Sequence, residues 1–311
     1  MRQRQPQRGR ALMKTNEEIV ATGFTFPEGP CINRAGVLHL VELRNRYVSR
    51  VVDGRRIVFA ELGWSPNGAA FGPDGGLYTC NSGGNWPPTL STNGVAGFGG
   101  ETPSIQVVQP DGARRSILTQ IEGRRLNAPN DICFDAKGGF YFSDPAWAAR
   151  TPEGVARAEH SPPGDISYVA PDGRASRVAG DLLFPNGLCV SPDGQSLIVA
   201  ETGTGRVLSY AIGRNGALYS PNTLIELGLE SGLDGMAFDA DGRLLIAGYG
   251  SGTIYVLAPD LTGVQPTLVC EDPALTNLCF GGQDFKTLFV TQGASGSVAA
   301  IRWPVPGMVP F

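Results

Sequence analysis

Lysine is nearly absent: Lys14, Lys137 and Lys286 are the only three in 311 residues. Histidine is scarcer, with His39 and His160 alone. Charged residues make up 17% of the chain and the formal net charge is −4. A nucleic-acid surface needs a basic stripe, so that class is excluded. Two histidines exclude a His-rich zinc site. A Ser-His-Asp hydrolase would need one of them beside a nucleophile, and the chain has no Gly-x-Ser-x-Gly elbow. No apolar run approaches the length of a membrane span, so no membrane partner is expected. The six cysteines include no Cys-x-x-Cys pair. Cys31, Cys133 and Cys189 each follow a repeated motif by three residues, which reads as small reduced strand thiols. Helix signals are scarce as well, because glycine and proline punctuate nearly every ten residues.

The chain is rich in turns, with 43 glycines and 24 prolines, and in one repeated quartet. Phe26-Pro27-Glu28-Gly29, Ser65-Pro66-Asn67-Gly68, Ala128-Pro129-Asn130-Asp131, Phe184-Pro185-Asn186-Gly187, Gly232-Leu233-Asp234-Gly235 and Leu275-Thr276-Asn277-Leu278 align. The third member is always a carboxylate or a carboxamide. A short apolar run follows, then in most copies a glycine turn such as Pro192-Asp193-Gly194. After Asn186 the pattern gives four short strands in some forty residues. Repetition of such units is the signature of a propeller blade.

The fold expected is therefore all-β, a six-bladed propeller with four-stranded antiparallel blades. The sixth repeat has only three strands before the chain ends, so Glu18–Gly23 is expected to supply the fourth and close the ring. Residues 1–16 read as a disordered tail and 17–311 as one propeller domain. The polar, basic start lacks an apolar signal region, and a cytoplasmic location is expected. Two insertions, Asn81–Thr102 with Trp86 and Pro145–Gly164 with Trp147, fall between the second and third strands of their blades. Both should leave from the face that carries the repeated quartet and wall a pocket.

Six quartets in phase converge near the axis at one mouth of the channel. Glu28 and Asp234, with the carboxamides, offer only oxygen donors. Calcium suits such a set first, with magnesium, manganese or zinc as alternatives. Two unpaired carboxylates in a channel are costly, and a cation offsets them.

Phe-Pro-Glu-Gly-Pro at 26–30, Leu-Asn-x-Pro-Asn-Asp at 126–131, Phe-Pro-Asn-Gly-Leu at 184–188, Asp-Gly-Met at 234–236 and Thr-Asn-Leu-Cys-Phe-Gly-Gly at 276–282 carry a resemblance. From about Glu18 to Trp303 the chain resembles the gluconolactonase, regucalcin and luciferin-regenerating enzyme family. The resemblance implies a six-bladed propeller with one divalent metal, typically calcium, in the channel mouth. Glu28, Asn186 and Asp234 match the family's metal ligands. Asn130 matches a residue that contacts metal or substrate. Most members hydrolyse lactones; the related diisopropylfluorophosphatase cleaves phosphorus–fluorine bonds. Two departures stand out. Ala128 replaces an arginine of the regucalcin-type sugar lactonases. Gly293, Ala237 and Cys279 replace a histidine and two ligands of a second calcium in the phosphatase relatives.

The resulting reading is a metal-dependent lactone hydrolase with a small lactone or ester as substrate. Glu28, Asn130, Asn186 and Asp234 hold one divalent ion, and Asp234 is general base or nucleophile. Asn67, Asn130 and Asn277 contact substrate or the ligand shell, and Trp86, Asp144 and Trp147 shape the pocket. The alternatives are a phosphotriester hydrolase on the same site and a non-catalytic calcium-binding propeller.

Overall fold

The computed structural model describes residues 12–63, 65–84, 101–146, 163–265 and 267–309. Among them lie six antiparallel sheets, each with four antiparallel strands, arranged as a six-bladed β-propeller. The innermost strands are Pro27–Ile32, Pro66–Phe71, Ile132–Phe134, Pro185–Val190, Leu233–Phe238 and Leu275–Gly281. Each packs against the next around the axis, and the sixth against the first. One apolar cluster fills each gap between neighbouring blades. Leu188, Leu197, Tyr141 and Ile166, for instance, join the third blade to the fourth, and Leu278, Leu288, Leu245 and Ile254 join the fifth to the sixth.

Closure follows the sequence expectation. Glu18–Thr22 pairs antiparallel with Ser297–Arg302 as the outer strand of the last blade. The expected tail is corrected over three residues. Leu12–Lys14 forms a strand parallel to Thr267–Val269, on the outside of the fifth blade. The short outer strand of that blade leaves an edge of unpaired backbone groups, and this segment covers it.

Three local devices bring the quartets to the axis. The residue entering the inner strand is left-handed in four blades: Phe26, Ser65, Phe184 and Gly232 have φ of 59°, 60°, 55° and 56°. The strand then bulges, with register breaks between Glu28 and Cys31, Pro66 and Ala69, Pro185 and Leu188, and Leu233 and Met236. A bulge bends a strand and re-aims the side chain at the break. Third, the glycine after the ring residue permits contact between strands. A Cβ on Gly187 would stand 2.2 Å from the Asp234 carbonyl oxygen, and one on Gly29 2.5 Å from the Ala69 nitrogen.

Gly187→Ala is expected to cost about 1–3 kcal/mol, because the colliding atom is backbone and cannot swing aside. Gly194 has φ of 70° and nothing within 4 Å of its Cβ position. Gly194→Asn should cost under about 1 kcal/mol, since Asn tolerates the left-handed region. Urea denaturation of both variants checks this; equal losses would contradict it.

Candidate active site and metal centre

All six ring residues are buried at one mouth of the channel. Glu28, Asn67, Asn130, Asn186, Asp234 and Asn277 are each between 4 and 9% exposed. Backbone carbonyls of the ring are tied across blades. The Gly68 N–H donates to the Asn130 carbonyl at 2.5 Å, Ser143 Oγ donates to that of Asn186 at 2.7 Å, and Thr276 Oγ1 to that of Pro27 at 2.7 Å. These bonds fix the inner strands relative to one another and leave the side chains to face the axis.

A third acid joins the ring. Asp131 occupies the quartet position held by glycine in four copies, and it is 7% exposed. Its Oδ1 accepts the Ile132 N–H at 2.9 Å. The Asn277 carboxamide hydrogen-bonds both Glu28 and Asp131, while its Oδ1 accepts the Leu278 N–H at 2.8 Å. Asn277 thus bridges two carboxyls and has its oxygen committed to backbone. Asn186 bonds the Asp234 carboxyl, and its own Oδ1 is buried without a partner.

The ring acids differ from three other buried acids of the fold. Glu42, Glu201 and Asp239 each pair with an arginine, Arg56, Arg206 and Arg243. Glu28, Asp131 and Asp234 have carboxamides, backbone N–H groups and one another. Burial pushes the Glu28 carboxyl well above the usual range, opposed by the Gly29 N–H and by Asn277, and the charge of Asp131 pushes the same way. Burial, then the charges of Glu28 and Asp131, push Asp234 well up. Asp131 rises from 3.8 to about 6, burial again outweighing its hydrogen bonds from Ile132, Leu188 and Asn277. Three neighbouring carboxyls that resist ionisation are a site short of positive charge.

The donor set fits a hard divalent cation. The buried Asn186 carboxamide oxygen, which has no partner among the described residues, and the Glu28 and Asp234 carboxyls, which meet only backbone N–H groups and carboxamides there, are oxygen donors with lone pairs to spare. Among the described residues, no three His, Cys, Asp or Glu side chains form a metal group by themselves. A cation here therefore depends on the carboxamides as well.

Other expected site residues stand elsewhere. Asp144 is fully buried, and its carboxylate accepts the backbone N–H groups of Asn127 at 2.9 Å and Ala128 at 2.8 Å. It holds the loop that delivers Asn130 and Asp131 rather than walling a pocket. Ala128 is itself buried by that contact, at 2% exposure. The place of Asp144, at the end of a second strand, is taken in other blades by Glu42, Asn81, Glu201 and Gln292. Glu42 accepts the Thr25 N–H at 3.0 Å and Glu201 the Leu183 N–H at 2.8 Å. This second polar repeat went unread in the sequence, although a polar residue ends each of those strands. Asn67 lies buried in the ring. Trp86 and Trp147 lie outside the described residues. Asp131 also went unread; its signal was an acid at a position otherwise occupied by glycine.

A six-bladed propeller with a ring of buried carboxyls and carboxamides at its channel mouth defines the class. Residues 26–294 match the model of the SMP-30/gluconolactonase/LRE-like region. The chain belongs to that family. It is 31% identical over 254 residues to a gluconolactonase of Zymomonas mobilis subsp. mobilis, covering 76% of this chain and 62% of that one. It is 36% identical over 208 residues to the diisopropyl-fluorophosphatase of Loligo vulgaris, covering 64% and 65%. The chain thus spans less than two thirds of the length of these two relatives. Among solved structures, XC5397 of Xanthomonas campestris, a gluconolactonase, superposes with a TM-score of 0.73 at 26% identity over 93% of this chain and 89% of that one. A calcium-binding regucalcin of Agrobacterium tumefaciens shares the fold, with a TM-score of 0.76 at 17% identity over 96% and 98%.

A carboxyl whose pKa is raised on folding binds more protons in the folded state. Its stabilising contribution is present at low pH and is lost as pH rises. For Asp131 the loss runs from 3.8 through about 6. In chelator-treated protein, Asp131→Asn should therefore gain stability relative to the parent over that window and stay level above it. Urea midpoints at several pH values measure this; a difference independent of pH would contradict it.

Proposed function

We propose that the protein is a metal-dependent lactone hydrolase. The observation that carries the reading is the ring itself: buried acids without arginine partners beside a buried carboxamide oxygen without a partner. Membership of the SMP-30/gluconolactonase/LRE-like family supports it. Glu28, Asn130, Asn186 and Asp234 would hold one divalent ion, calcium first among oxygen-preferring cations. When bound, the ion supplies Lewis-acid polarisation of the lactone carbonyl and stabilises the charge that develops on its oxygen.

The chain's own residues supply the remainder. Asp234 lies beside Asn186, whose carboxamide fixes the orientation of its carboxyl. As a base it takes a proton from water while the water oxygen bonds to the carbonyl carbon. The carbon–oxygen bond of the ring then breaks, and the proton passes to the leaving alkoxide to give a hydroxy acid. Direct attack by the Asp234 carboxylate is the other route to the same product. Asn277 holds Glu28 and Asp131 in place. Burial keeps most bulk solvent from the three carboxyls, which strengthens each electrostatic contact.

A phosphotriesterase reading draws on the similarity to the diisopropyl-fluorophosphatase of Loligo vulgaris. One feature of the mouth disfavours it. Gly293 stands where the phosphatase resemblance implies a histidine, and a Cβ there would be 3.0 Å from the Phe26 ring. Phe26 fills that space.

A lactone panel followed by a pH indicator, with and without chelator, tests the proposal. Activity should vanish on metal removal and return with calcium or another divalent ion. Asp234→Asn should lose about a hundredfold to ten-thousandfold in kcat. Glu28→Gln should raise the metal concentration needed for half activity, because a formal charge leaves the donor set. Full activity in verified metal-free protein would contradict the proposal, as would metal binding without turnover of any lactone.

A further inference from the structure

The channel mouth carries a second group of side chains that the ring chemistry does not use. Phe26 and Arg44 come from the first blade and Tyr249 from the fifth, and they meet over the sixth. The Phe26 and Tyr249 rings lie 6.0 Å apart, tilted by 50°. Arg44 sits in the turn after Leu38–Glu42, with its N–H donating to the Thr25 carbonyl at 3.3 Å. Its guanidinium lies 4.5 Å from the centre of the Phe26 ring. Tyr249 is 37% exposed. The charge of Arg44 acts on its phenol, as do those of Asp234, Asp272 and Glu28. The Tyr249 N–H donates to the Gly232 carbonyl at 2.8 Å, at the entry of the strand that carries Asp234, and Phe26 lies two residues before Glu28, so the pair borders the ring.

Apart from its contact with the Phe26 ring, the charge of Arg44 meets no acid among the described residues. Arg46, two residues on, pairs with Glu61 at 3.6 Å, and Arg206 pairs with Glu201 at 2.5 Å. Arg44 makes no ion pair among the described residues, and its Nε is buried without a partner. A partly desolvated guanidinium with an unmet donor is costly unless a ligand supplies the acceptor. Stacking on Phe26 fixes the plane of the fork, and a fixed fork recognises a planar or tetrahedral anion through paired hydrogen bonds. The Tyr249 hydroxyl adds a neutral donor next to it.

We propose that Arg44 and Tyr249 form a subsite for an anionic substituent of the substrate, a carboxylate, sulfonate or phosphate carried by the lactone. The subsite rests on the lactone-hydrolase reading and narrows it to acidic lactones. Arg44 here determines specificity and takes no part in bond breaking.

D-Glucono-1,4-lactone and D-glucaro-1,4-lactone make a matched pair, a terminal hydroxymethyl against a carboxylate. The parent enzyme is expected to favour the glucaro lactone in kcat/KM by about tenfold or more. Arg44→Met keeps an unbranched apolar stem over Phe26 and removes the charge. It should lower the glucaro-to-glucono ratio about ten- to a hundredfold, and Arg44→Lys should restore part of it. An absent preference in the parent, or an equal loss on both lactones in Arg44→Met, overturns the subsite. If neither lactone turns over, the hydrolase reading fails separately, and calorimetric binding of the same two lactones decides. Tighter binding of the glucaro lactone that is lost in Arg44→Met supports the subsite; equal affinities overturn it.

Discussion

Everything at the channel mouth depends on how closely the inner strands approach the axis. Side chains at Gly29, Gly68, Gly187 and Gly235 would each collide with the neighbouring blade, at distances of 2.0 to 2.5 Å from a Cβ. Without that approach the six quartets would remain six separate strand entries. With it, Glu28, Asp131 and Asp234 are buried within electrostatic reach of one another. The backbone geometry thereby creates an electrostatic demand that no arginine among the described residues meets.

The scaffold handles its other buried acids differently, and the contrast separates structure from chemistry. Glu42 and Glu201 are saturated by backbone N–H groups, hydroxyls and an arginine each. Asp144 accepts from two backbone amides and is fully buried behind its loop. In three blades these acids tie the entry of the inner strand to the end of the next strand, so they position the ring from behind. The ring acids receive backbone N–H groups and carboxamides, and no arginine among the described residues. A divalent ion would have the charge to satisfy their remaining lone pairs.

Much of this was legible in the sequence, because a propeller repeats its inner strand and the repeat carries its chemistry with it. Six aligned quartets gave the number of blades, the ring residues and the need for Glu18–Thr22 to close the circle. Side-chain direction was less legible. Asp144 looked like a pocket residue from its place before an insertion, but the strand turns it inward onto Asn127 and Ala128. Asp131 was hidden because alignment on the third quartet position treats the fourth as a spacer. The segment read as a tail holds a strand at Leu12–Lys14, since three residues that pair with a distant edge leave no periodic pattern. The meeting of Phe26 with Tyr249 joins blades more than two hundred residues apart in sequence, and no local signal marks it.

The central claim is that the buried ring acids wait for a divalent cation. Calorimetric titration of metal-free protein with calcium, in two buffers of different ionisation enthalpy near neutral pH, tests it most directly. Because burial raises the Glu28 and Asp234 carboxyls, binding of one equivalent should release protons, and the measured heat should depend on the buffer. The release should shrink in Glu28→Gln. No saturable binding by calcium or any other divalent ion, or binding that leaves Glu28→Gln and Asp234→Asn indistinguishable from the parent, would contradict the account.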